Sequence, residues 1–380
     1  MKRGCVIGYD INEKGCQISY YDDSMEEPDT MMASSNNYLI PLVLGYFKDR
    51  WVFGKEAKRL AVVGEDCTET DLYGKAKRRE KVSLAGKTYD AVWLLAKYIS
   101  LTLQDFENIQ YLTFTTPETD VDMAKMLKGI GQHIGVDKEI INVQDYKESF
   151  CQYMIFQPKE LWQYESALFY CDEDRIKAYM LRVDASHGMN SFVTVDEVAN
   201  AQRKELEALY PIMNKEKSPD ESFKSMIENV FEKKVISSVY LTGEGFEKNW
   251  YPNSLRVLCN GRRAFMGNNL YSKGACYKSI RKCEPNDDGP IYLDETKLTE
   301  RICLRMRVDG QEGWYPLVTW GTHWYEADGQ WEVLLEDASD IEILVESLVD
   351  EEVQVEKVSL EGLPKRTDYS LRLQVEAMFL

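Results

Sequence analysis

The 380-residue chain has no Cys-x-x-Cys pair, only three histidines, and no apolar stretch long enough to cross a bilayer. Each absence excludes something. Zinc sites need thiols or imidazoles at ligand spacing, and His133, His187 and His323 lie far apart. The nine cysteines are odd in number, and Cys5, Cys171 and Cys303 sit inside apolar runs, as buried free thiols do. A disulfide framework is therefore not expected, and a reducing compartment is favoured. Two positive charges at the N-terminus lead straight into a strand, without the apolar core of a signal peptide. The expectation is a cytoplasmic chain with no membrane partner. Positive charge is also scarce: 46 Lys and Arg against 64 Asp and Glu leave a net charge of −18. Nucleic acid, which needs clustered cations, is not an expected partner.

The bulk composition is that of a soluble globular protein, with 44% hydrophobic and 29% charged residues. Its length predicts two or three domains. The opening "CVIGYDINEKGCQISYY" reads as strand, turn and return strand, with Asp10 at the mouth of the turn. Leu39–Leu44 and Trp51–Phe53 read as strands joined at Lys48-Asp49-Arg50, and Gly54 opens a helix. Val92, Leu95, Ile99 and Leu103 recur at helical spacing. "YLTFTTPETD" is a strand that stops at Pro117, before a helix striped by Met123, Leu127, Ile130 and Ile134. "EIINVQDYKESFCQYM" repeats strand-then-helix.

A second round opens with "SALFYCDEDRIKAYMLRVD", a hairpin whose turn carries Asp172-Glu173-Asp174. One helix is expected within 184–217, built on "VANAQRKELEALYPIM", and another starts at Ser218-Pro219, a good N-cap followed by proline at the first helical position. "SSVYLTGEGF" then predicts a strand, a Gly-x-Gly turn at Gly243 and Gly245, and a helix. Such a turn lets backbone approach a ligand, although a plain tight turn looks the same. "CEPNDDGP", residues 283–290, has the texture of a linker. Beyond it, segments such as "ERICLRMRV" and "QWEVLLE" alternate at period two, which predicts an all-β sandwich or barrel.

Three stretches together carry a family likeness. Residues 7–21 resemble the first phosphate hairpin of the superfamily of actin, the sugar kinases and the 70-kDa heat-shock chaperones. "YLIPLVLGYFKDRWVFGKEAKRLA" is similar to the chaperones' following strands and Ala-Lys-Arg helix. "SVYLTGEGF", with Gly274-Ala275 downstream, resembles their adenosine-binding turn and helix. In the tail, "YLDETKLT" and "VSLEGLPKRTDYSLRLQVE" look like their interdomain linker and closing sandwich strands. The resemblance implies an α/β fold: a duplicated ribonuclease-H-like (actin-like) two-lobed domain at 1–282, then an all-β sandwich at 291–380. The lobes would divide at about residue 160, with a nucleotide cleft between them.

That resemblance makes Asp10 a candidate to hold hydrated magnesium, and Lys14, Gly243 and Gly245 candidates for nucleotide contact. Lys77, in "GKAKRRE", is the candidate for a hydrolysis-assisting lysine, with an ordinary surface lysine as the plain alternative. The departures are as informative. Asn12-Glu13-Lys14 replaces the family's glycine and small hydroxyl residues, and "CDEDR" replaces a run of glycines. Carboxylates beside polyphosphate repel it. Residues 184–217 are too short for the subdomain that closes over adenine, and bulky Tyr146, Phe150 and Tyr153 replace a small-residue lobe contact.

The expected function is thus a degenerate, chaperone-like protein. Its cleft would bind ATP or ADP with magnesium weakly or not at all, and it would act on a protein or peptide through the β-sandwich. The alternative is an active ATP-dependent chaperone with rewired loops. Trp314, Trp320, Trp324 and Trp331 are either sheet packing or a peptide-binding edge. The chain's end at Phe379-Leu380 leaves no expected helical lid.

Overall fold

A computed structural model describes all residues except 1–3, 35–36, 64–66, 173–174, 185–190, 203–217, 284–288, 328, 336–339, 351, 361–370 and 378–380. Most of the linker, two of the three acids in the second hairpin turn, His187, the expected helix beyond residue 202, the middle of the "VSLEGLPKRTDYSLRLQVE" stretch and Phe379-Leu380 therefore lie outside the described residues. The chain divides into two compact units: Met1–Arg182 with Val195–Asp287, and Val183–Thr194 with Asp288–Leu380. Residues 183–194, assigned from sequence to the first domain, thus cluster with the second.

The first unit is mixed α/β. Its first sheet opens with β1 (Cys5–Ile11), β2 (Gly15–Tyr21) and β3 (Asp29–Thr30), all antiparallel. β4 (Ile109–Thr116) and β5 (Ile141–Asp145) add in parallel, giving the order β3-β2-β1-β4-β5. Central β1 is buried from Val6 to Ile11, as a nearly continuous apolar run in a covered strand should be. The second sheet contains β6 (Glu165–Cys171), β7 (Arg175–Asp184), β8 (Phe192–Gln202), β9 (Ile236–Thr242) and β10 (Arg263–Met266). Its order is β8-β7-β6-β9-β10, the same pattern of an antiparallel hairpin beside two parallel strands.

Eight described helices are α1 (Gly54–Val63), α2 (Leu72–Lys77), α3 (Ala91–Thr102), α4 (Val121–His133), α5 (Tyr146–Ile155), α6 (Pro219–Phe231), α7 (Pro252–Leu258) and α8 (Leu270–Cys283). Local chemistry sets their starts. Asp90, Asp120, Asp145 and Ser218 each accept a backbone N–H of the first turn of α3, α4, α5 and α6, satisfying otherwise orphaned donors. Three expectations need correction. The strand read over Leu39–Leu44 is broken into Ile40–Pro41, which pairs with β2, and Leu44–Phe47, because proline cannot continue a ladder. Val198–Gln202, read as helix, continues β8, since pairing in a sheet overrides a weak helical preference. After Gly243 comes only a 3₁₀ turn, Glu244–Phe246, and α7 waits until Pro252.

α5 and α8 meet closely. A Cβ added at Gly274 would collide with the backbone of Ser149, so small residues share this contact with the bulky ones. Of the bulky residues, Tyr146 stacks on Tyr271 of α8 and Tyr153 meets Tyr277 of α8 edge-on, while Phe150 and Tyr153 also meet Tyr240 edge-on. Buried Glu148 pairs with Lys278 at 2.9 Å across the two helices.

In the second unit, β11 (Ile291–Tyr292) runs parallel to Phe192–Val193. β12 (Glu300–Val308), β13 (Gln311–Val318), β15 (Asp340–Ser347) and β16 (Val353–Ser359) form an antiparallel sheet in the order β13-β12-β15-β16. β14 (Gly329–Leu335) pairs with β17 (Leu371–Ala377). The β12–β13 turn places Asp309 and Gly310 at φ 50° and 83°, as a two-residue hairpin turn of Asp-Gly type requires. Cys303, Leu304, Val318 and Leu344 make its buried centre. Trp320 and Trp331 are packing residues, donating to the carbonyls of Glu346 and Pro316, whereas Trp314 and Trp324 are exposed.

Candidate functional site

A cavity of about 780 Å³ in the first unit lies where the hairpin tips and the ends of the parallel strands converge. Ligand sites in open α/β sheets favour this carboxyl edge. Asp10 lines it from the end of β1, Tyr146 from the first position of α5, and Tyr271 from the start of α8. Tyr38, Tyr73, Tyr170 and Tyr179 add four more phenol rings.

Asp10 is nearly inaccessible, at 3% exposure. The Tyr146 hydroxyl donates to its Oδ1 at 2.7 Å and itself accepts from Asn12 Nδ2 at 2.9 Å. Burial pushes the Asp10 carboxyl up to about 7, against the lowering effect of that hydrogen bond. The Tyr146 and Tyr271 rings stack with centroids 3.7 Å apart and planes 8° apart. Burial raises both phenols well above their ordinary value, so they stay neutral donors. Gln17 stands opposite Asp10 in the β1–β2 register and also lines the cavity.

The hairpin tip is occupied by its own side chain. Asn12 Oδ1 accepts from the backbone N–H of Lys14 at 2.9 Å and of Gly15 at 3.3 Å. This is a local turn in which asparagine satisfies the donors that a phosphate would need. Lys14 lines the cavity, and its ammonium pairs with Glu244 at 3.1 Å.

The other sequence candidates fare unevenly. Gly243 lines the cavity at φ 101°, where an L side chain is strained, but its N–H donates to Asn268 Oδ1 at 3.0 Å. Gly245 does not line it. A Cβ at either glycine would collide with Cys171, so close packing on the second hairpin accounts for both. The three-residue turn that follows also supplies no helix dipole for an anion. Lys77 lines the cavity from the exposed end of α2, and neither it nor Arg175 has an ion pair among the described residues.

The lining carries six carboxylates: Asp10, Glu13, Glu118, Asp172, Glu244 and Glu247. Its cations are Lys14, Lys77, Arg175 and Lys177. Lys177 is committed to Glu197 at 3.2 Å. Among the described residues no three acidic, histidine or cysteine side chains converge as a metal cage. Nor is any described helix long and apolar enough to cross a membrane.

Residues 27–295 match a family described as "Family of unknown function (DUF5716) C-terminal". That is more than half of the chain. The chain belongs to this family. Residues 297–380 match a "Domain of unknown function (DUF8552)", and no curated protein matches. In the DUF5716 match, Tyr146, Gly243 and Tyr271 fall inside the matched region, while Asp10, Asn12, Lys14 and Gln17 precede it.

Sequence reasoning found Asp10 and Lys14 but gave no role in the cleft to Gln17, Tyr146 or Tyr271. A signal existed for two of them. Gln17 is the cross-strand neighbour of Asp10 in any tight hairpin of this length, and Tyr146 directly follows the Asp that caps a strand-to-helix junction.

Proposed function

We propose that the chain is a degenerate, chaperone-like relative of the actin and heat-shock chaperone superfamily. Its cleft binds nucleotide weakly or not at all, and it acts by binding protein or peptide through the C-terminal β unit. The repeated strand order of the two sheets, with α5 and α8 meeting between them in sequence-matched positions, supports the duplicated ribonuclease-H-like reading. The exposed edge strand β16, with Val353, Val355 and Val358 in solvent, supports the binding role, because an open edge can take an added strand.

One observation carries the nucleotide half. The N–H groups of Lys14 and Gly15, at the tip where the superfamily holds phosphate, are consumed by Asn12. Phosphoryl recognition depends on such donors, and here it would have to break two hydrogen bonds and face Glu13. Calorimetric titration with adenosine, ADP and magnesium-ATP is the test. The expected result is binding that differs by less than roughly tenfold across the three, with no hydrolysis. Asn12→Gly, which frees both N–H groups, should widen the preference for ATP. Tight, magnesium-dependent ATP binding with adenosine silent, lost in Asp10→Ala, would establish the active-chaperone alternative instead.

A further inference from the structure

We propose that the floor of the 780 Å³ cavity binds a primary alkylammonium group, held by Gln17, Asp10 and Tyr271. The argument starts from two polar atoms without partners. Gln17 is 9% exposed and Tyr271 4%, and neither Gln17 Oε1 nor the Tyr271 hydroxyl has a hydrogen-bond partner among the described residues. Both side chains line the cavity. Unpaired buried polar atoms are rare and costly, so two on one cavity wall mark a place built for a guest.

The three groups stand together. Gln17 faces Asp10 across the hairpin register. Tyr271 stacks on Tyr146, whose hydroxyl touches Asp10. The chemistry they offer is dominated by acceptors. An amide oxygen can only accept, a carboxylate only accepts, and a phenol oxygen can accept. A primary ammonium has three donors and no acceptor, one for each.

The surroundings favour a cation further. Six lining carboxylates outnumber four cations, and the whole chain is strongly acidic. An anion fits less well: Lys77 and Arg175 are exposed, and Gln17 Oε1 and the Asp10 carboxylate offer it no donor. A free small amine and a lysine side chain present the same group, and the inference covers both. It goes beyond the nucleotide reading and does not depend on it, since its acceptors are Gln17 Oε1, Asp10 and the Tyr271 hydroxyl and not the N–H groups that Asn12 closes.

The test is calorimetry on the full chain with n-butylammonium chloride, tetramethylammonium chloride, n-butanol and Nα-acetyl-lysine amide. Saturable binding of butylammonium is expected, with tetramethylammonium and butanol at least about tenfold weaker because one lacks N–H donors and the other lacks charge. Comparable binding of the lysine amide assigns the source to a side chain, and its failure beside a bound butylammonium assigns it to a free amine. Gln17→Leu and Tyr271→Phe should each weaken butylammonium several-fold to about tenfold. The Tyr271→Phe protein should melt where the parent does, because the lost hydroxyl bonds to nothing within the described residues. No saturable amine binding, equal binding of tetramethylammonium, or unchanged affinity in both variants would overturn the assignment and leave water as the only guest.

Discussion

Burying a carboxyl group between strands disfavours its charged form, and a single hydroxyl from Tyr146 offsets this only in part. The consequence for stability has a definite sign. Asp10 titrates near 7 when folded and near its ordinary 3.8 when unfolded, so the unfolded chain ionises first as pH rises. Stability from this residue is full below pH 3.8 and is lost progressively up to about pH 7. Asp10→Asn keeps an acceptor for Tyr146 but cannot ionise. Its stability should equal the parent's near pH 4 and exceed it at pH 8, by at most about 4 kcal/mol and in practice by one or more. Urea unfolding at the two pH values measures the gap, and an equal gap at both would show that Asp10 does not titrate in this range. That Asp10 matters was legible, because it closes an apolar strand at a turn. Its partner was not: Tyr146 lies 136 positions away, and no local pattern couples a β1 carboxylate to a phenol on α5.

At the scale of elements, periodicity and capping chemistry located most of the first unit. α3, α4 and the Ser218-Pro219 start of α6 stand where apolar spacing and N-cap residues placed them. The misses have local causes. Pro41 ends a ladder that an apolar run seemed to continue, and the "VANAQ" segment pairs in a sheet despite its alanines. Sequence also hid how α5 and α8 touch, since it lists bulky and small residues on one helix without saying which face meets the other.

Two glycines give a paired test, one at that contact and one away from it. Gly274→Ala should destabilise by about 1–3 kcal/mol, because the new Cβ meets the rigid Ser149 backbone and no side chain that could turn away. Gly129→Ala, in the exposed interior of α4 with nothing near the added carbon, should stabilise by about 0.5–1 kcal/mol. Denaturant midpoints of the two variants, read side by side, should move in opposite directions. If both fall, helix entropy is not what governs Gly129.

Across the whole molecule, each compact unit has its own buried centre: Phe223 with Phe169 and Phe246 in the first, Leu304 with Cys303 and Leu344 in the second. Calorimetry should therefore resolve two unfolding transitions. Phe223→Ala should lower one and Leu304→Ala the other, each through a cavity costing about 2–5 kcal/mol. A single transition shifted equally by both would mean that the units unfold as one. The change from mixed texture to period-two alternation foretold a second body rich in strands, but not that residues 183–194 would cluster with it. Two residues there, Phe192 and Val193, pair with Ile291 and Tyr292 about a hundred positions later, and so short a pairing leaves no trace in periodicity.

The ion pair from Lys14 to Glu244 ties the first hairpin to the turn after β9, and both side chains are nearly half in solvent. A tie of that kind is worth about 1 kcal/mol or less and fades as salt rises. It therefore comes undone for a substantial share of the time without any trigger. A guest of the cavity need not wait for a slow opening event, and its arrival rate should answer to ionic strength before it answers to any change of shape.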